Sequence, residues 1–266
     1  MTDERFLKGR RALVTGSSGG LGNWMACALA AVGADVVLTD LHPAGEVERA
    51  RRAIAERYGV RVTYRKADLS IHREVEDLLD GAVGDLGGID ILVNNAVIRH
   101  FMPIERFSAE AWDRSLAVNL SAPFHATRLV LPGMRQNDYG RIINMTSVFA
   151  TRATVNRVDY VATKAAVEGL TKATALETAG SGVSCHALCP GSVLTPPNST
   201  RVDALREREE LTRAEAEARF LEGKQPSGKF VSLDSISDVL MLLCGPTGLD
   251  MNGAVLPIEA GWLAKS

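Results

Sequence analysis

The sequence lacks most of what would tie it to a metal, a membrane or a disulfide scaffold. Only four cysteines occur in 266 residues: Cys27, Cys185, Cys189 and Cys244. Cys27 falls in a helical pattern, and Cys185 and Cys189 fall in or at the end of a strand pattern. All four therefore read as buried thiols in a reducing cytoplasm. Cys185 and Cys189 have no second pair of ligands at zinc spacing. The five histidines, His42, His72, His100, His125 and His186, are scattered, so no metal site is expected. No apolar run reaches the roughly 18 residues of a membrane span. Met1 to Lys8 is charged and has no signal-peptide core. A net charge of −2 gives no basic field for nucleic acid or a membrane surface. There is no internal repeat or low-complexity tract.

What is present is a steady alternation of strand and helix patterns. Expected strands are Arg11–Val14, Asp35–Thr39, Arg61–Lys66, Ile89–Val93, Ile142–Met145, Gly182–Cys189 and Ala254–Ile258. Helical patterns cover Asn23–Ala31, Glu46–Tyr58, Ile71–Leu86, two helices within Ser108–Arg135, and Ser232–Cys244. Such alternation predicts an α/β fold with a parallel, doubly wound sheet. Residues 196–228 differ in texture, being dense in Glu and Arg. They read as a helical lid, or as a solvated helical insertion.

Three features along the sheet predict a dinucleotide. Between the first strand and helix stands Thr15-Gly16-Ser17-Ser18-Gly19-Gly20-Leu21-Gly22, where glycines let the backbone approach a pyrophosphate at a helix N-terminus. Asp40 ends the second strand, where a carboxylate accepts bonds from an adenosine ribose and repels a 2′-phosphate. No basic residue follows it directly, so NAD is preferred over NADP. Asp68 faces an adenine amino group or caps the helix after it. Asn94 and Asn95 bridge neighbouring strands or a cofactor.

The stretch Gly140–Lys164 carries the chemistry. Ser147 follows a buried strand, at the end where open α/β sheets hold ligands. Tyr160 and Lys164 are four apart and share a helix face. A lysine ammonium one turn away favours the phenolate, making a tyrosine a usable general base. A serine hydroxyl can hold the reacting oxygen. Asn119, inside an apolar helical stretch, has little reason to be there unless its side chain has partners.

Together these residues resemble the short-chain dehydrogenase/reductase family over nearly the whole chain. Thr15–Gly22 resembles its cofactor loop, Asp68-Leu69 its adenine contact, Asn94-Asn95-Ala96 its fourth-strand motif, and Asn119, Ser147, Tyr160 and Lys164 its catalytic set. Pro190-Gly191, Val193 and Thr195 resemble its nicotinamide-side loop. The resemblance implies a single-domain, Rossmann-like sheet of about seven strands with helices on both faces. It further implies a homotetramer or homodimer, with Asn119 supporting a water-linked proton path through Lys164. Val97 departs from the glycine usual after Asn-Asn-Ala.

Within the family, the shared strings Leu131–Met134, Gly140–Asn144, Leu176–Ala179, Val193–Pro196, Lys224–Ser227, Lys229–Val231 and Gly261-Trp262 resemble bacterial D-3-hydroxybutyrate dehydrogenases. The substrate-contact positions differ. Arg99 and Arg201 stand for glutamine, Phe149 for histidine, Arg157 for lysine and Ser192 for tryptophan, with Arg152 nearby. Arginines at 157 and 201 also resemble the sulfonate clamp of 2-hydroxypropyl-coenzyme M dehydrogenases. Each arginine alone reads as solvated, or as paired with Asp159 or a lid glutamate. Jointly they suggest a small anionic substrate held by planar forks. The expected reaction is NAD-dependent hydride transfer at a secondary alcohol of an anionic hydroxy acid, sulfonate or sugar acid. Alternatives are D-3-hydroxybutyrate dehydrogenase proper, or a catalytically silent nucleotide-binding scaffold.

Overall fold

A computed structural model describes residues 5–265. Met1 to Glu4, the start of the charged stretch discussed above, and Ser266 lie outside the described residues. The seven strands are β1 (Arg11–Thr15), β2 (Asp35–Asp40), β3 (Val62–Lys66), β4 (Ile91–Asn94), β5 (Gly140–Met145), β6 (Val183–Pro190) and β7 (Val255–Ile258). They pair in parallel in the order β3-β2-β1-β4-β5-β6-β7.

The strand sequences explain the two-sided burial. Strand side chains alternate between faces, and a sheet covered on both sides needs apolar residues at successive positions. Val14, Leu38, Val93 and Ile143 join one core; Leu13, Val37, Leu92 and Ile142 join the other. Helices α1 (Gly20–Ala31) and α2 (Ala44–Tyr58) cover the first face through Met25, Leu29, Val47 and Ile54. The second is covered by α3 (His72–Leu86), through Val75, Leu78 and Leu79.

Beyond β4 the chain departs from the expected regular helices. It forms α4 (Ala109–Leu116), a π-helical turn at Ala117–Ser121, and α5 (Ala122–Gln136). Asn119 sits in the π turn rather than in a regular helix. There Ile98 N donates to its Oδ1 at 2.9 Å, and its Nδ2 donates to Ile98 O at 3.0 Å. The widened turn is thus matched by an amide that binds both main-chain groups of one residue.

The catalytic-stretch helix is α6 (Val158–Thr178). The charged segment after β6 forms two helices, α7 (Pro196–Glu209) and α8 (Arg213–Leu221). Glu210 ends the first with φ 54°, and Thr212 starts the second with a capping box to Glu215. Val202, Ala216 and Leu221 are buried, so the pair is anchored by an apolar side. The last long helix, α9 (Leu233–Cys244), returns to the first core through Ile236, Leu240 and Leu243. Three of the four thiols are buried; Cys27 is only half-buried, because its helix face opens toward solvent. Among the described residues no helix is long and apolar enough to cross a membrane.

Candidate active site

The sheet order reverses between β1 and β4, and a cavity of about 560 Å³ opens at the strand ends there. That is the topological switch point of an open α/β sheet, where ligands bind. One end of the cavity is lined by Gly16, Ser18, Gly20, Leu21 and Gly22. Helix α1 begins at Gly20, three residues earlier than the expected Asn23, so the glycines form its first turn. A Cβ on Gly22 would lie 2.2 Å from Gly16 O and 2.6 Å from Asn95 Nδ2. Only glycine permits that crossing of loop and helix. Asn95 Nδ2 donates to Thr15 O at 2.9 Å and Gly16 O at 3.0 Å. Asn94 Nδ2 donates to Asn144 Oδ1 at 2.8 Å. Both asparagines therefore bridge neighbouring strands, and Asn95 also lines the cavity.

Asp40 and Asp68 border the same end. Ser18 Oγ donates to Asp40 Oδ2 at 2.6 Å and Leu41 N to Oδ1 at 2.8 Å, which fixes the carboxylate at the loop. Asp68 does not cap α3. It accepts from Ser70 N and Oγ in a local turn, and Arg114 Nη2 donates to its Oδ2 at 3.1 Å. The bonds from Ser70 and Arg114 outweigh burial and hold its pKa below the ordinary value. Leu69, Pro190, Gly191, Val193 and Thr195 complete the wall, as does Val97 in place of the usual glycine. The backbone cradle and the carboxylate at the second strand fit an adenine dinucleotide.

The middle of the cavity holds Ser147, Tyr160 and Lys164. Ser147 ends the β5 segment as the cap of a short 3₁₀ turn, and its Oγ accepts from Phe149 N at 3.3 Å. Tyr160 and Lys164 stand one turn apart on α6, with Nζ 5.7 Å from the Tyr160 ring centroid. Lys164 Nζ donates to Met145 O. Burial, with a smaller contribution from Arg99, pushes the Lys164 pKa down to about 7. Near neutral pH this lysine is poised between its two forms, and a phenolate beside it would favour the ammonium. Asn119 does not line the cavity. It holds Ile98 behind it, and its Nδ2 reaches Thr163 Oγ1 at 3.4 Å.

The far end is cationic and aromatic. Arg99, Phe149, Arg157, Ser192 and Arg201 line it, and Arg152 does not. Arg152 lies in the turn after the 3₁₀ segment, where its main-chain N donates to Val148 O at 3.0 Å. Nor do the arginines pair with acids. Asp159 is taken by Ser115 and His100, and the lid glutamates Glu209, Glu217 and Glu222 by Arg208, Arg213 and Arg219. Among the described residues Arg99, Arg157 and Arg201 have no carboxylate within ion-pair distance. They lie over rings instead: Arg99 Cζ is 5.2 Å from the Tyr160 centroid, Arg157 4.3 Å from Phe101, and Arg201 5.4 Å from both Phe101 and Phe220.

Lys224, Phe220 and Trp262 are among the cavity residues that the sequence reading did not name as site residues. Lys224 lies with Nζ 3.8 Å from the Phe220 centroid. Burial, then Arg201 and Arg157, lower its pKa to about 8. Burial first, then Arg201 and Arg99, also lowers that of Arg157. The i, i+4 spacing of Phe220 and Lys224 was the available signal. Trp262 comes from the tail, lines the cavity and packs edge-on against Phe149 at 5.5 Å.

A model of the short chain dehydrogenase family matches residues 10–205. A D-beta-hydroxybutyrate dehydrogenase from Cupriavidus necator is 43% identical over 261 residues, 98% of this chain and 100% of that protein. A 2-(R)-hydroxypropyl-CoM dehydrogenase from Xanthobacter autotrophicus is 33% identical over 263 residues, 96% of this chain and 99% of its own. In three dimensions the L-sorbose reductase of Gluconobacter frateurii, solved with NADPH and L-sorbose, superposes with a TM-score of 0.92 at 26% identity. That match covers 99% of this chain and 100% of the other. With its sheet order, its site and a relative this similar along the whole length, the chain belongs to the short-chain dehydrogenase family.

Proposed function

We propose that the protein is an NAD-dependent oxidoreductase moving a hydride between nicotinamide and a secondary alcohol of a small anionic substrate. The observation that carries the substrate class is the set of cations without acid partners, Arg157, Arg201 and Lys224, beside Tyr160 in one cavity. Arg157 and Lys224 are half-buried and Arg201 is exposed. Like charges this close repel, and an anion between them offsets that repulsion through charge-assisted hydrogen bonds. Planar guanidinium forks suit a sulfonate, a phosphonate or a second carboxylate. NAD is favoured by Asp40, since a 2′-phosphate would meet its carboxylate.

In this reading Tyr160 removes the proton of the substrate hydroxyl and Ser147 holds that oxygen. Lys164 supplies charge next to the forming phenolate, and Asn119 keeps the Ile98 segment in place behind it. Bound nicotinamide supplies the hydride acceptor. Helices α7 and α8 act as the lid, bringing Arg201 and Phe220 to the site. The free thiols favour a reducing compartment such as the cytoplasm, and the family resemblance favours a homotetramer or homodimer.

The test is NADH formation by the purified protein on hydroxy acids, hydroxysulfonates, sugar acids and sulfonated sugars, with NADP in parallel. Preference for a sulfonate or a bulkier acid, with NAD, supports the reading. Activity only on neutral alcohols, or only with NADP, sinks it. A second reading, D-3-hydroxybutyrate dehydrogenase proper, is favoured by the 43% identity. Strong activity on that acid would mean that the arginines substitute for the family's usual contacts.

A pH dependence follows from Lys224. Its ammonium attracts an anion and its neutral amine does not, so substrate affinity is full below about pH 8 and falls as pH rises through that value. The KM for an anionic substrate is expected to climb several-fold, by about threefold to tenfold, between pH 7 and pH 9.5. In Lys224→Gln the KM should be high at pH 7 and flat across this range. A wild-type KM that does not change with pH would count against a role for Lys224.

A further inference from the structure

Arg99 and Phe101 owe their aim to a buried contact that the hydride transfer does not use. The segment they lie on is tied down at every second residue. Ile98 is held by Asn119 at 2.9 and 3.0 Å, and Met102 N donates to Asn156 O at 3.1 Å. Between these main-chain ties, His100 is held through its side chain. Its Nδ1 lies 3.0 Å from Asp159 Oδ2 and 3.1 Å from Ser115 Oγ. Ser115 Oγ donates to the same Asp159 oxygen at 2.7 Å. Residues 99 and 101, alternating with the tied ones, meet Tyr160 and the guanidinium groups of Arg157 and Arg201.

Asp159 and Ser115 are each 0% exposed, and Asp159 immediately precedes Tyr160 in the first turn of α6. A fully buried carboxylate is costly unless it is paired. The first turn of α6 favours its charge, and Oδ2 is paired with Ser115 and His100, while Oδ1 has no hydrogen-bond partner among the described residues. A carboxylate only accepts, so His100 Nδ1–H donates to it. The three residues do not form a nucleophilic relay. Serine and aspartate meet the same histidine nitrogen, whereas a relay needs one at each. What the contact does is join α4, α6 and the Ile98–Met102 segment at one point.

We propose that Asp159, with His100 and Ser115, is a positioning residue that fixes Arg99 and Phe101 against the catalytic-stretch helix and so sets affinity for the anionic end of the substrate. This rests on the anionic-substrate reading above. Asp159 itself touches neither substrate nor cofactor.

The test compares wild type, Asp159→Ala and Asp159→Asn by amide hydrogen exchange over residues 97–103 and by kinetics. The kinetic probes are the acid of the panel above with the highest turnover and its neutral methyl ester. In Asp159→Ala, exchange in that segment is expected to quicken about tenfold, because its middle tie is lost while α6 stays folded. The KM for the acid should rise about tenfold with kcat within about twofold, and the KM for the ester should stay put. Asparagine still accepts from Ser115 and His100, so it should bring the acid's KM back to within about threefold of wild type. Unchanged exchange in Asp159→Ala overturns the proposal, as does a fall in kcat equal to the rise in KM, or the same rise for the ester. A wild-type enzyme that does not tell acid from ester overturns the anion reading and the affinity clause with it. Exchange alone then decides the anchoring. Should Asp159→Ala fail to fold, His100→Ala, at a partly exposed side chain, tests the same tie with the same outcomes.

Discussion

Tyr160→Phe is expected to lower turnover by about 10²- to 10⁴-fold, the usual contribution of a positioned general base, while NAD affinity changes less than about threefold. The substitution removes one oxygen and leaves the ring. Tyr160 is 7% exposed, packs edge-on against Phe149 at 6.3 Å and lies beneath the Arg99 guanidinium. Those contacts belong to the ring, so the cavity keeps its shape. The loss then falls on kcat, the signature of an interaction used in the transition state and not in ground-state binding. Cofactor titration by fluorescence separates the two effects. Near-normal turnover would remove Tyr160 as the base. A large loss of NAD binding would mean that its hydroxyl serves the cofactor and not the proton.

How much of this was legible in the chain depends on how local each signal is. The alternation of buried strand runs with helices gave the doubly wound sheet, because side chains of a two-faced parallel strand are apolar at successive positions. Glycines at 16, 20 and 22, a carboxylate at 40 and the 147/160/164 spacing are local patterns, and the structure gathers all of them at one cavity. Asn119 was legible as an oddity. That it would open a π turn was not, since its partner Ile98 is 21 residues away. Lys224 and Trp262 reach the cavity only because α8 and the tail fold back over it. The exposure of an arginine was equally invisible. Arg152 and Arg157 look alike in sequence, yet of the two only Arg157, the residue that precedes α6 as its cap, lines the cavity. The pairing of Asp159 is hidden for the same reason: nearby arginines are one option in sequence, but Ser115, 44 residues away in sequence, and His100 take it.

Arg201→Gln is expected to raise the KM for an anionic substrate by about 10- to 100-fold, and that for a neutral analogue by less than about threefold. A hydrogen bond to a charged group is worth about 1.5–3 kcal/mol, which sets that range. Arg201 sits on α7, is exposed, lines the cavity and, among the described residues, is held only by the rings of Phe101 and Phe220. Its loss therefore costs little in folding, and the effect reads on binding. A second consequence distinguishes an anion clamp from simple crowding. Arg201 is one of the two charges that lower the Lys224 pKa, after burial. With Arg201 neutralised, that pKa must move up, so the pH at which KM begins to rise should shift above about 8. The variant would thus bind the anion more weakly at pH 7 yet hold its remaining affinity to higher pH. Both changes come from one coupled set of charges. Equal KM increases for charged and neutral substrates, or an unmoved pH break, would mean that Arg201 shapes the cavity without contacting the anion.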